Sequence, residues 1–153
     1  MAADGLLRLR AEDAEDLAVI SAVAQDALIS VKDLTYDRGE RRFTVVANRF
    51  RWEGKLPAAP KDGDGAFFER TLCALSFAEV NGVTYRGFRR DDDERILALL
   101  AIRAGEKPGT IDLQFSGGAT LRLGVSEIRV HATDLGEAWP TPWQPDHSAD
   151  DPP

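Results

Sequence analysis

Between Asp13 and Trp52 the spacing of apolar residues changes once, from that of a helix to that of strands. No other feature constrains the chain as much. Leu17, Ile20, Ala24, Ala27 and Leu28 recur at helical spacing and make one buried stripe. Asp13 stands where an N-cap belongs. Glu15 and Asp16 follow in the first turn, where the positive end of the helix dipole favours carboxylates. The helix is expected to end near Ala27, because Leu28 to Tyr36 has strand character through Ile29, Val31 and Tyr36. Asp37-Arg38-Gly39-Glu40 reads as a turn, and Phe43 to Trp52 as the next strand. Within that strand Phe43, Val45 and Ala47 share one parity, whereas Phe50 and Trp52 take the other. A slip of one residue sends side chains to the opposite sheet face, so a bulge or bend is predicted near Ala47-Asn48.

Strand signals dominate the rest. Gly54 to Gly65 reads as a surface loop. Thr71, Cys73, Leu75 and Phe77 fall on one strand face, and Val83 and Tyr85 start another strand after a turn at Asn81-Gly82. The segment 92–104 fits either helix or strand; the reading adopted is a helical turn near Asp92, then a strand from about Leu97. Ile111, Leu113 and Phe115 alternate up to Ser116-Gly117-Gly118, and Leu121, Leu123 and Val125 alternate back, which is a hairpin. Ile128, Val130 and Ala132 read as the last strand. The similarity of Leu75…Tyr85 to Leu121…Val130 raises an internal repeat, with two four-strand units from Ile29 to Phe88 and from Leu97 to Ala132. The expected fold is α+β: about eight mostly antiparallel strands in a sandwich or open barrel, with one N-terminal amphipathic helix. Residues 1–144 are expected to form a single globular domain and 145–153 a disordered tail.

Charge narrows the partners. The net charge of −7 opposes general binding to nucleic acid or to an anionic membrane surface. No apolar run approaches the length of a membrane span, the N-terminus lacks a signal-peptide pattern, and a single cysteine forbids an intrachain disulfide. Cytoplasmic location is the expectation.

Few residues suggest chemistry. Cys73 shares parity with Leu75 and Phe77 and reads as a structural thiol. One cysteine and two histidines without metal-site spacing assign no metal or cofactor ligand. Asp91 to Glu94 reads as a solvated turn, and Ser116-Gly117-Gly118 lacks the lysine and helix of a phosphate loop. No catalytic residue is assigned. The clearest partner surface is basic and aromatic: Arg49 and Arg51 interleave with Phe50 and Trp52, a mixture that can grip an anion or stack a base. Such alternation equally describes a half-buried strand. Trp139 and Trp143 bracket two prolines and suit either an aromatic anchor or a strap over the core.

Gln25-Asp26-Ala27, Arg41-Arg42-Phe43 and Asn48-Arg49-Phe50-Arg51-Trp52-Glu53 resemble an uncharacterised alphaproteobacterial domain-of-unknown-function family (DUF2948-like), as do Leu99-Leu100-Ala101-Ile102, Phe115-Ser116-Gly117-Gly118 and Asp134-Leu135-Gly136. The resemblance implies a small bacterial cytoplasmic protein and carries over no activity. The sequence reading is a non-enzymatic binding or protein-interaction module, with an unknown protein partner or a homodimer. An enzyme acting on a small anionic metabolite is the alternative, and a single-stranded nucleic-acid binder a weaker one.

Overall fold

A computed structural model describes residues 7–50, 68–136 and 139–141. The elements run β1 (Arg8–Ala11), α1 (Ala14–Ala24), β2 (Leu28–Asp37), β3 (Arg42–Phe50), β4 (Phe68–Phe77), β5 (Val80–Arg86), β6 (Ile96–Ala104), β7 (Thr110–Phe115), β8 (Thr120–Val125), β9 (Val130–Asp134) and β10 (Trp139–Thr141). All the strands join one open sheet, in the order β1-β9-β4-β3-β2-β6-β7-β8-β5, with β10 beside the start of β4. Every pairing is antiparallel. The α+β, mostly antiparallel class is as expected.

Alternation explains which face is inside. In β3, Phe43, Val45 and Ala47 are buried; in β4, Cys73, Leu75 and Phe77; in β7 and β8, Ile111, Leu113, Leu121 and Leu123. These meet in one core. Helix α1 closes it by burying Leu17, Ile20 and Ala24, and packs chiefly on β6. Its N-cap is Asp13, whose Oδ1 accepts the Asp16 N–H at 2.8 Å. The Ile102 N–H of β6 donates to Ser21 Oγ of the helix at 2.8 Å, beyond a register shift between Leu99 and Ala101. Among the described residues no helix is long and apolar enough to cross a membrane.

Three local expectations need correction. β3 carries no bulge at Ala47-Asn48: its ladder with β4 runs unbroken from Phe43↔Phe77 to Phe50↔Arg70. The irregularity lies in β2, between Ile29 and Leu34. The apparent parity switch arises because Arg49, a charged residue, holds the inward position after Ala47, while Phe50 faces out. Asn81-Gly82 is not the turn before β5. It lies within β5, and the chain reverses at Ala78-Glu79, where Glu79 takes φ 60°. Helix α1 ends at Ala24, and Asp26 at φ 69° turns the chain, its N–H donating to the Leu99 carbonyl at 2.7 Å. Ile96–Ala104 is a strand, preceded by turns.

The strand order reads the same from either end about the β2/β6 seam. Exchanging β2 with β6, β3 with β7, β4 with β8 and β5 with β9 returns β9-β4-β3-β2-β6-β7-β8-β5. Each half contributes a three-strand meander and sends its fourth strand to the other half. β5 pairs with β8, and β9 with β4. The seam itself is short: Leu28↔Ala98, Ile29↔Leu97 and Ser30↔Ile96. The correspondence differs from the alignment read in the sequence. Phe77 pairs with Val130 and Val125 with Val80, so Phe77 matches Val125 and Val80 matches Val130.

Candidate functional site

Arg49 of β3 and Arg70 of the neighbouring β4 lie on opposite faces of the sheet. Arg49 points into the core end and is fully buried. Its Nε donates to Asp134 Oδ1 at 3.0 Å and its Nη2 to Asp134 Oδ2 at 2.9 Å, a bidentate pair; its Nη1 reaches the Phe50 carbonyl at 2.9 Å. Asp134 Oδ2 also accepts the Leu7 N–H at 2.9 Å, which ties the start of the described chain to β9. The pair is therefore an internal clasp rather than a contact surface. Arg70, on the outer side, lies 3.9 Å above the Phe50 ring and bonds Asn48 through its side chain and carbonyl. Burial lowers its pKa.

Cys73 lies beside the clasp on the inner face. Burial, then the Asp134 charge, pushes its thiol up to about 12, against the opposing influence of Arg49. A thiol so strongly protonated is not a nucleophile. Among the described residues no three His, Cys, Asp or Glu side chains group as a metal site. Trp139 enters β10 through its backbone, opposite Arg70. Arg51, Trp52 and Trp143, the Gly54–Gly65 loop and the 145–153 tail lie outside the described residues.

A different surface carries the convergent polar groups. On the sheet face opposite the core, β5, β6, β7 and β8 enclose a groove of about 380 Å³. One row of side chains crosses it from Arg103 to Asp112, Arg122 and Thr84, each opposite the next in register. The neighbouring row carries Gln114, Thr120 and Arg86. Asp112 forms the floor and takes both donors of the Arg122 fork, Nε to Oδ1 at 2.8 Å and Nη2 to Oδ2 at 3.0 Å. This bond and the Asp112 charge raise the Arg122 pKa.

Arg86 and Arg103 face the groove without an ion pair among the described residues, while Glu106 sits at its lip. Three arginines against two carboxylates leave the lining cationic, in a chain whose net charge is −7. Gly105, also in the lining, has no room for a side chain: a Cβ there would stand 2.1 Å from Thr110 Oγ1. Sequence reasoning did not reach these residues. The available signal was polarity at outward positions of the hairpin, Asp112, Gln114 and Arg122, but Arg86 and Arg103 join them only through sheet order.

Neither a curated protein nor a solved structure matches this chain. Residues 7–147 match the family described as Protein of unknown function (DUF2948). That match spans nearly the whole chain, including every strand of the groove, and the protein belongs to this family.

Proposed function

We propose that the protein is a binding module for a small anionic molecule, held in the arginine-lined groove on the outer face of β5, β6, β7 and β8. The observation that carries this reading is the unequal use of the arginines. Arg122 is fixed by Asp112, whereas Arg86 and Arg103 face the same concavity and make no ion pair among the described residues. Guanidinium groups so placed suit carboxylate or phosphate, which accept two parallel N–H bonds. A cavity of this size suits a metabolite rather than a protein surface. The large exposed apolar side chains, Val19, Leu72, Ile96, Leu100 and Leu135, are spread over several elements and do not ring the groove. Binding rather than catalysis is favoured because Asp112, the carboxylate at the floor, has both oxygens bonded to Arg122 and is poorly placed to take a proton from a substrate.

The test is titration calorimetry with inorganic phosphate and citrate at low and moderate salt. Charge-assisted hydrogen bonds of about 1.5–3 kcal/mol imply that Arg86→Ala with Arg103→Ala weakens binding at least about tenfold. Arg8→Ala, on the far edge strand, should leave it unchanged, and Glu106→Gln should tighten it. Affinity equal in wild type and double variant, or no binding of either anion at about 10 mM, would sink the proposal.

A further inference from the structure

We infer that the ligand of this groove carries two anionic groups held apart, one for each wall; this rests on the anion-binding reading above. The two arginines without ion pairs stand on different strands with two strands between them. Arg103 belongs to β6 and Arg86 to β5, and the order is β6-β7-β8-β5. Three interstrand steps put their backbones about 14 Å apart. Arg86 is also displaced along the strands: it faces Thr120, whereas Arg103 shares the row of Asp112 and Arg122. Side chains on a strand stand roughly perpendicular to the sheet, so the two guanidinium groups stay about 14 Å apart, near the backbone spacing.

A compact anion such as phosphate can bridge no such gap. It meets one arginine, and the other stays unneutralised. The centre of the groove gives a single anion little help, because the Arg122 fork is already closed on the Asp112 carboxylate. A negative group resting there would meet the Asp112 charge as well as the Arg122 one. Gln114 and Thr120 line this middle region and offer neutral donors and acceptors. Charge at both ends and polarity between them describe a linear dianion, with either carboxylate or phosphate termini.

Titration calorimetry on the full chain tests this by comparing adipate with hexanoate, and an alkanediol bisphosphate with the matching alkyl monophosphate. In wild type each dianion should bind about tenfold or more tightly than its monoanionic partner. Arg86→Ala and Arg103→Ala should each bring the dianion down to the monoanion's affinity. Both side chains are exposed, so the variants should melt with wild type, which circular dichroism checks. Equal affinity for mono- and dianions in wild type overturns the inference while leaving anion binding intact. So does a dianion affinity that responds to only one of the two substitutions. Failure of every compound to bind overturns both readings together. Preference within the carboxylate or the phosphate pair then identifies the terminal group.

Discussion

Asp134→Ala should be among the most destabilising single substitutions in this chain. It strips the fully buried Arg49 guanidinium of its bidentate carboxylate, at donor distances of 3.0 and 2.9 Å, and takes from the Leu7 N–H its acceptor. Breaking one side of a buried ion pair costs about 3–5 kcal/mol, mostly because the surviving charge stays desolvated. For a chain of 153 residues, unfolding entropy of about 2.1 cal/mol/K per residue converts each kcal/mol into roughly 3 °C of melting temperature. The expected fall is therefore about 9–15 °C. Calorimetry or far-ultraviolet dichroism reads it directly. The double variant Arg49→Met/Asp134→Leu removes both charges and fills the space with apolar atoms. It should return to within about 2 kcal/mol of wild type, since matched apolar replacements of buried pairs are often neutral. A single variant within about 1 kcal/mol of wild type would refute the reasoning, as would a double variant no better than the single.

Two further outcomes test the core and the turns. Because the folded state holds Cys73 protonated, its contribution is complete below the ordinary thiol value of 9.0 and is lost as pH rises towards about 12. Wild type should lose about 2 kcal/mol more than Cys73→Ala between about pH 8 and pH 10.5 in denaturant titrations; parallel losses would contradict the assignment. Gly118 takes φ +84° in open space, so Gly118→Ala should cost only the backbone penalty of about 1–2 kcal/mol. Gly87 takes φ +82°, and its added Cβ would meet the Gly118 carbonyl oxygen at 2.7 Å. Gly87→Ala should therefore be clearly the worse of the two by chemical denaturation, and equal costs would contradict the close approach.

Strand parity made much of the fold legible. Thr71, Cys73, Leu75 and Phe77 are all buried, as are Leu113, Phe115, Leu121 and Leu123, because a half-buried strand allows little else. Arg49 breaks that pattern. A period-two template places arginine outside, and only a partner 85 residues away makes the inward position tolerable. The cue was nevertheless present: Arg49 keeps the parity of Phe43, Val45 and Ala47, and Asp134 that of Val130 and Ala132. The groove was less accessible still. Arg86, Arg103 and Arg122 occur on three separate strands, and β5 reaches β8 only by crossing to the other half of the sheet. Local pattern says nothing about that crossing.

The palindromic order gives a way to separate scaffold from function. Matching Phe77 to Val125 and stepping along the ladders sets Val46 against Asp112, Asn48 against Gln114, Ala74 against Arg122 and Leu72 against Thr120. The backbone plan is shared, yet these four outer positions carry no charge in the first half and hold the Asp112–Arg122 pair in the second. Inside, the relation reverses. Arg49, Asp134 and Cys73 correspond to Phe115, Tyr85 and Leu121, so an ion pair closes one end of the core where an edge-on Tyr85–Phe88–Phe115 stack closes the other. Both closures bury their groups and satisfy the same structural need. The outer faces are different in kind, because charge on a solvated sheet face adds little to stability. A scaffold requirement would place it on both halves. Its absence from the matching positions of the first half, with two arginines of the groove making no ion pair among the described residues, fits the proposed binding site better than a need of the scaffold.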